Sequence, residues 1–209
     1  IEESDAVCNS LTISSNNGTH PDLTVETGGS LTVSNDILLN KTAGSGTSKL
    51  VTLNDAILVC RNFTIDGYST SNAKFEHEFG TTTVTINGNL TIETGGELDM
   101  SDGNDATTDG TINLKGNFIN NAGETEFKQG QSTILLNGAA NQDISIAGAG
   151  TEVFYNLAVN KPSGMVTLSG NIKILNQLQM TNGNIDTQSS TLELGESTTQ
   201  KGALAHTSG

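Results

Sequence analysis

The chain has 209 residues, with 23 acidic side chains against 9 basic ones, a net charge of −14 and no tryptophan. Such a surface repels nucleic-acid phosphates and anionic lipid headgroups, which removes both as expected partners. No apolar run approaches the ~18 residues of a membrane-spanning helix. Hydrophobic content of 33% with 4% aromatics is lean for a thick globular core but suits an interior one side chain deep. Glycine is spread along the chain and Pro21 and Pro162 are isolated. No linker is marked, and residues 1–209 read as one domain. No secretory leader stands at Ile1, so the chain reads as the portion after a cleaved leader or as a segment of a longer protein.

In chain order, the first phrases are Cys8-Asn9-Ser10-Leu11-Thr12-Ile13 and Leu23-Thr24-Val25, followed by Leu31-Thr32-Val33 and Val51-Thr52-Leu53. Cys60-Arg61-Asn62-Phe63-Thr64-Ile65 then repeats the Cys8 phrase. Each alternates apolar with polar residues, which predicts short strands with one face inward. Gly, Asn, Asp or Ser closes each run, as tight turns require. The two cysteines read as small core residues at one repeat position, or as a disulfide if the repeats bring them together. A longer repeat links Leu23 to Ser34 with Leu90 to Ser101: apolar places and the Gly-Gly pair coincide. Such repetition predicts stacked units. Recurrent Gly-Asn pairs at Gly88-Asn89, Gly116-Asn117, Gly170-Asn171 and Gly183-Asn184 suggest asparagines stacked from rung to rung, with side chains bonding to one another.

Two segments read as loops leaving the coil. Residues 68–81 carry Tyr68, Phe75, His77 and Phe79 among small polar residues, a candidate ligand-binding set. Residues 99–109 carry Asp99, Asp102, Asn104, Asp105 and Asp109, oxygen donors suited to Ca2+ although they match no EF-hand loop. No other cofactor is expected. Catalytic patterns are weak. Glu76 and Glu78 flank His77, Glu124 and Glu126 flank Thr125, and Arg61 is the sole arginine. All of these fit solvated strand faces, so no catalytic residue is assigned and the chain is not read as an enzyme. Thr between apolar residues also raises an ice-binding reading, but paired Thr over a regular face is missing from the phrases.

In the C-terminal half, Gly138-Ala139-Ala140-Asn141-Gln142-Asp143-Ile144 is followed by Phe154-Tyr155-Asn156-Leu157-Ala158-Val159-Asn160 and Val166-Thr167-Leu168. Leu178, Gly183-Asn184-Ile185-Asp186-Thr187 and Leu192-Glu193-Leu194-Gly195 complete the series. This succession, over about residues 108 to 195, resembles the β-solenoid regions of large secreted surface proteins of Bacteroidetes-type bacteria. The resemblance implies export to the cell surface and a stalk, adhesin or matrix role. It carries over no catalytic residue.

The sequence thus predicts an all-β, right-handed parallel β-helix of about eight or nine irregular rungs with loop insertions, each rung of ~20–28 residues. The expected function is an extracellular structural module that stacks with itself or with neighbouring domains. A carbohydrate- or surface-binding adhesin is the alternative.

Overall fold

A computed structural model describes residues 5–68, 72–101 and 109–207. Among them there are strands and turns but no helix. The strands form three sheets of ten, eight and five members, and every ladder is parallel. Neighbours in each sheet are far apart in sequence, so the chain winds round all three faces before pairing with itself. The result is a β-solenoid of about seven turns. That is slightly fewer than the expected eight or nine, because the early coils use the long end of the expected period. Hydrogen-bonded partners on adjacent coils lie 25 to 28 residues apart from Asp5 to Asn117.

Alternation in sequence becomes stacking in space. On the first sheet Leu31, Leu58, Val84, Ile112, Ile134 and Leu157 form one inward column. The second sheet supplies Ile37, Phe63, Leu90, Phe118 and Ile144, and the third Leu23, Leu50, Phe75, Leu98 and Phe127. All three meet in one buried cluster, with Leu23 packed against its edge. Phenylalanine rings bridge faces edge to face: Phe63 lies 5.4 Å from Phe75 at 88°, and Phe118 lies 5.3 Å from Phe154.

Cys8 pairs in register with Val33, and Cys60 with Ile86. Thr32 pairs with Val59, which sets Val33 against Cys60. The cysteines therefore share a column, as their matching phrases suggested, but Val33 separates them. Two rungs are about 9.6 Å, beyond disulfide reach, and both thiols are free.

Asparagines do stack. Asn35 Nδ2 donates to Asn9 Oδ1 at 2.7 Å, a bond between side chains. In the coils that follow, the side chains bond to the main chain. The side chains of Asn62, Asn89 and Asn117 each accept from the main-chain N–H one coil on, at Asn89, Asn117 and Asp143, all at 2.8 Å. Each side chain thus caps a turn that would otherwise leave a donor unpaired. The Gly-Gly pair also has a physical reason. Gly95 has φ 79°, and a Cβ on Gly96 would stand 2.2 Å from the Ile65 carbonyl oxygen.

The cross-section changes along the axis. The third sheet runs through Asp22–Val25, Ser48–Thr52, Ala73–His77 and Gly96–Asp99, and stops at Phe127–Lys128. Beyond it the chain makes two long strands, Thr151–Asn160 and Asn171–Asn182. They carry the first sheet through the former corner, with a register shift between Phe154 and Asn156. Coil-to-coil separations fall to as few as 19 residues, between Val166 and Ile185. A three-sided prism becomes a flatter body.

Candidate functional site

The densest group of ionisable side chains among the described residues lies on the outer face of the third sheet. Its local sequences, Lys49-Leu50-Val51, Lys74-Phe75-Glu76, Glu97-Leu98-Asp99 and Phe127-Lys128, share one register. Each apolar residue at the centre points inward, so the flanking charges face outward. Lys74 pairs in register with Lys49 on one side and Glu97 on the other. Its Nζ lies 2.9 Å from Glu97 Oε1, 3.0 Å from Asp99 Oδ2 and 3.3 Å from Glu76 Oε1. Lys128 adds a 2.8 Å contact to Glu97. Lys49 pairs with Glu76 and stands 3.7 Å from Glu78.

Glu97 and Asp99 are 3% and 7% exposed, so these pairs are not ordinary surface contacts. Burial alone would lower the Lys74 pKa, but hydrogen bonds to Glu97 and Asp99 outweigh it and raise the pKa above the ordinary lysine value. The face opens into a shallow groove of about 600 Å³ whose lining includes His20, Asp22, Lys49, Lys74, Glu97 and Lys128. Each of Glu76, Glu97 and Asp99 is already held by a lysine. The arrangement ties successive coils together; it does not present a free general base beside an acid.

The aromatic set is dispersed. Residues 68–81 are not one loop: Ala73–His77 is a strand whose alternate side chains enter the core. Phe75 is fully buried against Phe63. His77 is also buried, its Nε2–H donating to the Gly80 carbonyl at 2.9 Å and its Nδ1 lying 3.3 Å from Thr52 Oγ1. Neither can touch a ligand without unpacking the coil. Tyr68 and Phe79 remain on the surface, 63% and 45% exposed. The overlooked signal was the alternation Ala73-Lys74-Phe75-Glu76-His77 itself.

Of the proposed calcium donors, Asp102, Asn104 and Asp105 lie outside the described residues. Asp99 Oδ1 accepts from Ser101 N and Oγ, while its Oδ2 faces Lys74. Asp109 Oδ2 accepts from the Gln131 N–H. Among the described residues no three His, Cys, Asp or Glu side chains converge as a metal site. Arg61 forms a two-pronged contact with Asp36, at 2.9 and 2.8 Å. Chiefly through that contact the Asp36 carboxyl is pulled down to about 2.

Two interior polar groups escaped the sequence reading. Asn120 stands where neighbouring coils carry Ile92 and Ile146. Its Nδ2 donates to Glu152 Oε2 at 2.6 Å. Burial, above all, pushes the Glu152 carboxyl up to about 7, with the charge of Glu124 adding to the rise and the Asn120 bond opposing it. One turn further on, Lys161 Nζ donates to the Gly138 and Ala140 carbonyls and to Gln142 Oε1, each at 2.8 Å. Burial lowers its pKa. A polar residue at an otherwise apolar register was the available signal for Asn120; Lys161 sits past a strand end and gave none.

Comparison with protein-family models, curated proteins and solved structures finds no match to this chain. No described helix is long and apolar enough to cross a membrane.

Proposed function

We propose that the chain is an extracellular structural module, a rigid spacer in a stalk, matrix or fibre, without catalytic activity. One observation carries the reading: the coils stack from Ala6 to His206, with the main-chain ladders running along the axis. Tension along that axis is shared by parallel rows of hydrogen bonds and by the interior columns. The titratable groups of the third sheet are spent on coil-to-coil ion pairs, which suits a scaffold better than a reaction site. The resemblance to secreted bacterial surface proteins points the same way and supplies the extracellular location.

The end coils suggest how such a module would be continued. Ala6–Cys8, Leu11–Asn16 and Asp22–Val25 each have a described strand partner on one side only. At the opposite end Leu204 is exposed although it registers with the buried Leu178. Open strand edges and apolar column ends accept a further parallel coil, from an adjoining domain or another copy. Sedimentation over a concentration series, with electron microscopy of the most concentrated sample, tests the self-stacking form. Filaments one solenoid wide are expected. A monomer at every concentration removes self-stacking and leaves continuation by adjoining domains, which a longer natural chain carrying solenoid sequence on either side would show.

A further inference from the structure

The outer face of the first sheet differs in chemistry from that of the third. It also has two neighbouring uncharged columns where the second sheet has one, Thr12, Leu38, Thr64, Thr91, Ile119 and Ser145, beside a column with Asp66 and Glu93. On the first sheet one column carries Ser30, Ile57, Thr83, Thr111, Thr133 and Asn156, and continues through Gln177. The column beside it carries Thr32, Val59, Thr85, Asn113, Leu135 and Ala158, and continues through Gln179. Neither holds a charged or aromatic residue, although charged residues make up 15% of the chain. Charge begins at the margins, with Asp5, Asp55 and, in the late coils, the Lys173–Glu193 ion pair on one side and Arg61 and Lys115 on the other. The third sheet presents lysines and carboxylates at equivalent outward positions.

This face is also a regular grid. Rungs repeat at ~4.8 Å, and alternate residues within a strand lie about 6.6 Å apart. The ladder keeps its register from Ser30 until the shift after Phe154. Thr, Val and Ile are stiff at χ1, so their hydroxyls and methyls are held in place. Two aliphatic side chains lie open on it, Val7 at 71% and Ile57 at 45% exposure. Covering neutral groups costs far less than covering charged ones. This face is therefore buried against a partner at a smaller desolvation cost than the charged third face.

We propose that this face binds an extended, uncharged polysaccharide lying along the solenoid axis. Sugar hydroxyls donate and accept, as do Thr hydroxyls and the amides of Asn113, Asn156, Gln177 and Gln179. Ring C–H surfaces pack on the methyls of Ile57, Val59 and Leu135. A neutral polymer meets no repulsion from a chain of net charge −14. Its own repeat lets many weak contacts add along a pre-ordered comb, so long chains bind while short oligosaccharides do not. The inference goes beyond the spacer role and does not depend on it.

The test is retention of the whole protein on suspended microcrystalline cellulose, chitin and linear β-1,3-glucan. Retention on at least one is expected, equal at low and molar salt because no ion pair is involved. Thr83→Lys/Thr133→Lys places two ammonium groups on the face and should cut retention on the order of tenfold or more. The surface variant Gln179→Lys should weaken it in the same direction if the double variant folds poorly by circular dichroism. Thr64→Lys, on the outer face of the second sheet, should leave it unchanged. The proposal is overturned if none of the three polymers retains the protein, if salt abolishes retention, or if the lysine variants bind as the parent does. It is equally overturned if the face proves to bind ice, or a second copy, in place of the glycans.

Discussion

The coils up to Phe127 and the coils after it solve one packing problem in two ways. The early coils have three sheets and a three-way apolar interior, where rings such as Phe63 and Phe75 fill the angle between two faces. The late coils have lost the third sheet, and the strand Thr151–Asn160 runs straight through the missing corner. At the junction Phe118, Phe127 and Phe154 cluster with centroids 5.3 to 5.7 Å apart. At the same junction Asn120 pairs with Glu152, and at the turn from the first to the second sheet Gln142 pairs with Lys161. The turn between Thr133–Leu136 and Gln142–Ile146 also points carbonyls inward. Those of Gly138 and Ala140 are satisfied by a buried ammonium. Buried polarity is found in both regions, for the three-sheet coils also enclose Lys41, Thr52 and His77; what is confined to the junction is the Asn120–Glu152 pair.

The strongest way to break this comparison is to empty the seam. Phe118→Ala removes a fully buried ring that touches two others and should cost about 4 kcal/mol, read from urea unfolding followed by circular dichroism. Phe79→Ala, at a half-exposed ring, should change stability by less than about 0.5 kcal/mol. Coils in a solenoid hold one another through nearest neighbours. Hydrogen exchange in the Phe118 variant should therefore quicken most from Ile144 onward, while the amides of Leu31 and Leu58 stay protected. Uniform loss of protection would mean that the two regions are one cooperative unit.

The next effect tests the outer ladder of the prism. Lys74→Met keeps the aliphatic stem but strips the ammonium from Glu97 and Asp99, two carboxylates with almost no access to water. Removing one partner from a buried ionic group typically costs about 3–5 kcal/mol; Lys128 remains beside Glu97, so the low end, about 3 kcal/mol, is expected. Lowering the pH should narrow the gap between variant and parent, because protonated carboxyls no longer need the lysine. A gap independent of pH would show that the loss is one of packing.

Glu152 gives the seam a pH signature of opposite kind. Its folded pKa of about 7 lies above the ordinary 4.5, so folding favours the protonated form. Below about pH 4.5 both states hold the proton and there is no penalty. Between about 4.5 and 7 stability falls as pH rises, because the unfolded state releases its proton first. Above about 7 the penalty is complete, at most about 3 kcal/mol. Glu152→Gln should remove that slope, leaving the variant more stable than the parent at alkaline pH and close to it at pH 4. Parallel stability curves from pH 4 to 8 would place Glu152 outside the coupling.

Much of the fold was legible because a solenoid writes its rungs locally. Leu-Thr-Val phrases set which side chains point inward, and the recurring Gly-Gly and Gly-Asn pairs mark turns whose physical basis is φ 79° at Gly95 and the Asn62–Asn89–Asn117 ladder. Less visible was anything that depends on how rungs are offset. The alternation through Ala73–His77 is masked by its His and Phe and by the polar residues around it, and so two core side chains, Phe75 and His77, read as members of a ligand loop. The charge ladder needs Lys49, Lys74 and Glu97 aligned across coils, and no single phrase contains that alignment. The uncharged face is a column property too. Each phrase shows one Thr, and only stacking gathers Thr83, Thr111 and Thr133 into a row.

The smallest effect separates the two cysteines, which share one column at different depths. Cys60 is buried, and burial first, then the charge of Asp36, pushes its thiol up to about 12. Cys8 lies in the first strand and is half-buried, with no strand of the described chain on its outer side. The thiolate is the reacting species. A thiol reagent at pH 8 should therefore modify Cys8 alone in the folded protein and both residues in urea. Because Val33 stands between them, mild oxidation should yield no intramolecular bridge, and non-reducing electrophoresis should show the same mobility before and after. An oxidised monomer of faster mobility would require the first coils to slide by a whole rung, and the column assignment from Cys8 to Ile86 would fall with it.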